Sequence, residues 1–85
     1  MELEQWQEAL KDFGKALMIE PGSPLFLERR AIVRTYLHDF RGAMSDINEA
    51  NSLAPGDKRI LDNRDWIIRY RNQVLPDVSS RSKTE

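Results

Sequence analysis

The 85 residues include no cysteine, so disulfides and thiolate-ligated metals are excluded. His38 is the only histidine, which removes a multi-histidine metal site as well. Neither sign of charge dominates. Thirteen basic and 14 acidic residues leave a net charge of −1, which gives no global pull toward nucleic acid or an anionic membrane. No apolar run approaches the ~20 residues that a membrane span needs. There is no signal-peptide pattern either, since Met1 is followed by Glu2 and Glu4 with no apolar stretch behind them. An intracellular, cytoplasmic soluble protein is the expectation. The length allows one domain at most, with a thin core.

What the chain does have is an internal repeat. Phe40, Ala43, Ile47, Ala50 and Leu53 precede Pro55-Gly56. A closely matching pattern lies 34 residues earlier: Trp6, Ala9, Phe13, Ala16 and Ile19 precede Pro21-Gly22. At that offset Ala9 matches Ala43, Asp12 matches Asp46 and Ala16 matches Ala50. A 34-residue period in a chain this short marks a repeat architecture.

Four helices are expected. In residues 2–19, Leu3, Trp6, Ala9, Leu10, Phe13, Ala16 and Leu17 recur at helical spacing. Gly14 is the weak point there, either a surface glycine or a place of close helix approach. Pro21 ends that helix, Ser23 is suited to cap the next, and Pro24 fits its first turn. The second helix spans 24–37, with Leu27, Ala31 and Arg34 on one stripe and Arg30 beside it. His38-Asp39 is a short break, with His38 a turn residue and Asp39 a cap for a third helix at 40–53. So short a loop makes the second and third helices antiparallel neighbours. Asp57 is suited to cap a fourth helix at 58–75, and Pro76 stops it. Residues 76–85 are polar and patternless, a disordered tail by composition. Ser79 and Ser80 in that tail are possible phosphate acceptors.

These residues resemble the tetratricopeptide repeat family. Ala9-x3-Phe13 and Ala43-x3-Ile47 answer that family's A-x3-F segment, and Pro21 and Pro55 its terminal proline. Leu27 stands where the family prefers Trp, and Ala31 where it prefers Gly. The resemblance implies an all-α, antiparallel helix-pair solenoid over 1–75, with one complete repeat at 24–57. Residues 1–23 look like the second helix of an incomplete repeat, and 58–75 like a capping or next-repeat helix. The chain then reads as a piece of a longer array or a scaffold. Arg30, Arg34 and Asp65 depart from the family pattern, at places where a close helix contact would bury them. They are tolerable only if paired or at an edge. We expect Arg30 or Arg34 to pair with Asp46 or Asp65.

The resemblance also implies a non-catalytic protein-interaction module that holds a peptide or helix on a concave face. Carried over by residue, that face comprises Leu25, Glu28, Ile32, Thr35 and Tyr36. The last helix adds Arg59, Asp62, Trp66, Arg69 and Tyr70. The alternative for Trp66 and Tyr70 is packing on the second helix. A structural, self-associating role is the second reading. There the uncovered first helix docks on another chain through Leu3, Trp6, Leu10, Phe13 and Leu17. A co-chaperone clamp ranks third: Arg59 fits its basic place, but Glu28, Ile32 and Asn63 do not fit. RNA binding ranks fourth, because Asp57, Asp62 and Asp65 interrupt the patch of Arg64, Arg69 and Arg71. No enzyme, cofactor or metal is expected. His38 and the adjacent Asp39 lack the nucleophile–base–orienter geometry of a catalytic site.

Overall fold

Ser23, Asp39 and Asp57 each open a helix in the computed structural model, which describes residues 3–75. Ser23 Oγ accepts from the Phe26 amide at 3.2 Å, Asp39 Oδ1 from Gly42 at 3.0 Å, and Asp57 Oδ1 from Arg59 at 3.0 Å. Each satisfies a backbone donor that the first helical turn leaves without an internal partner. The helices are α1 (Leu3–Ile19), α2 (Pro24–Tyr36), α3 (Phe40–Leu53) and α4 (Lys58–Val74). Among the described residues there is no strand, and no helix is long and apolar enough to cross a membrane. Leu37 and Leu75, expected within helices, are C-caps instead. The expected tail at 76–85, with Ser79 and Ser80, lies outside the described residues.

The α2–α3 break closes in three residues, Leu37 to Asp39, through a backbone motif. The His38 amide donates to Thr35 O at 3.0 Å and the Asp39 amide to Arg34 O at 2.8 Å, while His38 takes φ 64°. This is a Schellman C-terminus with histidine in the left-handed position that glycine usually fills. Its ring stacks on Phe40 at 5.5 Å, a contact glycine would lack. The two Pro-Gly turns differ despite their shared sequence. Both close with an amide-to-carbonyl bond of 3.2 Å, from Ser23 to Glu20 and from Asp57 to Ala54. Gly56 has φ +83°, the type II position that demands glycine, whereas Gly22 stays outside that region.

The core forms where the small residues of α3 let α2 come close. Ala31, Ala43, Ile47, Ala50 and Ile67 are fully buried, joined by Leu17, Leu27 and Ile60. Helix α2 is central: it packs against α1, α3 and α4, while α1 and α4 make no close backbone approach to each other. At the edge of this seam Asp46, with a side chain only 4% exposed, takes two arginines. Arg30 is bidentate, Nε to Oδ2 at 2.8 Å and Nη2 to Oδ1 at 2.9 Å, and Arg34 Nη1 reaches Oδ2 at 2.9 Å. The expected pairing is therefore met by both arginines on Asp46. The hydrogen bond to Asp46 holds the Arg30 guanidinium above its ordinary pKa, with burial opposing it. A cation so raised contributes its stability below the unfolded pKa and loses it only in strong alkali. Asp65 does not join this group. It is exposed and pairs with Arg69 at 2.9 Å, one turn away on the same helix, because no described element covers that face of α4.

Glycine positions sharpen the packing picture. A Cβ on Gly14 would meet nothing within 4 Å, so Gly14 is no point of close helix approach. A Cβ on Gly42 would collide with the carboxylate of Asp39 and lie 3.1 Å from Arg34 Cδ. Gly42 thus makes room for the cap of its own helix.

Candidate functional site

Tyr36, the last residue of α2, gathers aromatic residues of two other helices, α1 and α4. Trp6 of α1 stacks on it with centroids 4.4 Å apart and planes at 16°. Trp66 and Tyr70 of α4 meet it at 5.4 and 5.6 Å, and each other at 5.5 Å. Tyr70 continues the cluster to His38 and Phe40 at 6.2 and 6.3 Å. The one-turn spacing of Trp66 and Tyr70 puts both on the α2-facing side of α4, which is why they converge on one ring. Tyr36 nevertheless remains 39% exposed. Aromatic pairs at these separations gain roughly 0.5–1.5 kcal/mol beyond area burial, so this surface is held rigid.

Two depressions flank Ile32, one helical turn before Tyr36. One of about 270 Å³ lies over α2 and α4 and is lined by Ile32, Tyr36, Asn63 and Trp66. The other, about 330 Å³, lies between α1 and α2 and is lined by Trp6, Ala9, Phe13, Arg29, Ile32 and Val33. Both are shallow and mostly apolar, suited to side chains of a macromolecular partner rather than to an enclosed metabolite. No cluster of metal-ligating side chains occurs among the described residues.

The residues carried over from the resemblance divide into three groups. Ile32, Tyr36, Trp66 and Tyr70 come together on one half-exposed apolar surface. Arg59, Asp62 and Arg69 lie exposed around it with local partners: Lys58–Asp62 at 2.8 Å, Arg69–Asp65 at 2.9 Å, and Arg59 Nε 3.6 Å from Glu28. Glu28 and Thr35 are not available to a partner. Glu28 is 3% exposed and accepts from Asn63 Nδ2, linking α2 to α4, while Thr35 is buried and donates to Ala31 O at 2.8 Å.

The first-helix face also divides. Leu17 is spent in the core, Trp6 is stacked on Tyr36, and Phe13 lies 6.4 Å from Phe26. Leu10 is half-buried and Leu3 is exposed. Leu17 therefore drops out of any docking face, because α2 already covers its end of α1.

Against family models, curated proteins and solved structures, the chain matches none. The site must be interpreted from its own chemistry. Two of its features were missed in the sequence: the stacking of Trp6 on Tyr36, and the Glu28–Asn63 link. The second had a signal, since the two residues are 35 positions apart, close to the repeat length. The first had none, because Trp6 and Tyr36 share no element and no obvious complementarity.

Proposed function

We propose that this chain is a non-catalytic protein-binding module, a tetratricopeptide-like stack of antiparallel helix pairs. In this reading an extended peptide or partner helix lies across α2 and α4. The supporting observation is the half-exposed surface of Ile32, Tyr36, Trp66 and Tyr70. Rigid aromatic residues ringed by polar groups supply large contact area at little entropic cost, the usual composition of an interaction hot spot. The rim charges Asp62 and Arg69 are in exposed ion pairs, worth little where they are and free to re-pair with a ligand, whereas Arg59 also faces the buried carboxylate of Glu28. The role that fits is that of an adaptor or scaffold piece, with specificity set by side chains that enter the depression beside Trp66.

The test is to select peptides on the immobilised chain and map the selected binders by amide chemical shifts on the labelled protein. Shifts should centre on Ile32, Tyr36 and Trp66. Trp66→Ala should weaken binding by about tenfold or more, the scale of a hot-spot truncation. Unchanged affinity in both Trp66→Ala and Tyr70→Ala would defeat the proposal.

A further inference from the structure

The repeat register indicates what the depression between α1 and α2 is shaped to hold. Moving its lining residues forward by 34 positions gives Phe40, Ala43, Ile47, Asn63, Trp66 and Ile67. These residues belong to the α3/α4 side of the core, against which α2 lies. Ala43, Ile47 and Ile67 are fully buried there, and Asn63 donates to Glu28 of α2. The α1/α2 face therefore has the composition of a seat for a helix like α2, and it is open.

The chain carries a second helix of that type. At the same offset Leu27, Glu28, Arg30 and Tyr36 of α2 become Leu61, Asp62, Arg64 and Tyr70 of α4. Helix α4 already uses one face as α2 does, with Ile60 and Ile67 buried at the places of Phe26 and Val33. Its other face carries Leu61, 37% exposed, together with the exposed Asp62 and Asp65. The matching face of α2 is the one α3 covers.

We propose that α4 of one copy docks in the α1/α2 groove of another, so that the chain associates head to tail. Charge complementarity supports a second copy as the occupant. Arg64 would meet Asp12 as Arg30 meets Asp46, and Asp62 would meet Arg29 as Glu28 meets Asn63. Leu61 takes the place of Leu27 in the apolar seam. The present contacts of these groups are exposed and inexpensive to exchange: Arg64 donates to Asn48 at 3.2 Å, and Asp62 pairs with Lys58. One residue fits badly, since Asp65 stands where α2 has Ala31, which is fully buried. Association is weakened by that carboxylate. The contact is heterologous, so it propagates rather than stopping at a symmetric dimer. It rests on the repeat register that underlies the proposed function and shares Ile32 with the surface proposed there, because Ile32 borders both depressions.

The test is molar mass against concentration, by light scattering and sedimentation equilibrium, with circular dichroism to check folding. Mass should rise with concentration for the unsubstituted chain. Asp12→Arg and Arg64→Asp should each stay monomeric, whereas an equimolar mixture should associate, because both unlike junctions then pair opposite charges. Asp65→Ala should associate at about tenfold lower concentration, having lost the one carboxylate that stands at a buried place of the seam. Asp12→Arg, on α1 and away from α4, should leave peptide binding at Tyr36, Trp66 and Tyr70 unchanged, which separates the idea from the peptide-binding proposal. A chain that stays monomeric both unsubstituted and as Asp65→Ala would overturn it. So would single charge variants that associate as well as the parent, or a mixture that does not recover. If a charge variant fails to fold, the Asp65→Ala comparison decides alone.

Discussion

The α3 face under α2 and the matching α1 face are built from nearly the same residues and have different fates. Ala43, Asp46, Ile47 and Ala50 are all 3% exposed or less. Their counterparts Ala9, Phe13 and Ala16 are only half-buried, and Asp12 is exposed. The pattern is the same in the two helices, so the pattern does not determine the burial. What differs is the presence of a covering helix: α3 has α2 against it, and α1 has α2 on one side alone. The comparison teaches that a repeated apolar pattern specifies a seat, and a neighbour decides whether the seat becomes core.

Paired substitutions on the two faces test this directly. The largest contrast is expected at Ile47 and Phe13. Ile47→Ala empties a fully buried site and should cost about 3–4 kcal/mol by urea denaturation, while Phe13→Ala should cost less than half of that despite the larger side chain. Asp46 and Asp12 come next. Asp46→Ala leaves Arg30 and Arg34 without their shared partner and should cost about 3 kcal/mol, at the low end for a broken buried pair because both arginines keep some exposure. Asp12→Ala should stay within about 0.5 kcal/mol in a dilute, monomeric sample.

The glycines give smaller effects of opposite sign. Gly42→Ala should lower stability by about 1 kcal/mol or more, since the new methyl displaces the Asp39 cap. Gly14→Ala should raise it by up to about 1 kcal/mol, because the helix gains propensity and nothing stands in the way. Thermal melts of the two variants would check the signs. A gain at Gly42, or a loss at Gly14, would contradict the packing described. The smallest contrast is between the two turns: Gly56→Ala should be costlier than Gly22→Ala by about 1 kcal/mol, the penalty of a left-handed backbone for an L side chain.

Much of the fold was legible because short-range rules governed it. The three helix caps follow from Ser23, Asp39 and Asp57 standing just before apolar-periodic runs, and local hydrogen bonds suffice to realise them. The Arg30–Asp46–Arg34 group was also foreseeable, since charges on a stripe that must be buried need partners nearby. The candidate site was legible only in part. Ile32, Tyr36, Trp66 and Tyr70 do meet, but Glu28 and Thr35, assigned to the same face, are buried. The helical period places residues on sides of a helix and is silent about how far each neighbour wraps round it. Glu28 sits where α2 and α4 close together, so a residue that looks like rim in projection is a buried link. Asp65 was expected to be paired or at an edge, and it is both exposed and paired with Arg69, with no described helix over that face of α4.

By itself the sequence determined four helices, their caps and turns, the 34-residue register and the need to pair Arg30 and Arg34. Each of these depends on residues within one element or on a repeated spacing. The tertiary structure alone decided that Tyr36 would gather Trp6, Trp66 and Tyr70, that Gly56 and not Gly22 would take positive φ, and that one of two similar helix faces would stay open. These outcomes depend on which helices lie against one another: the face of α1 has nearly the same residues as that of α3 but one described neighbour fewer.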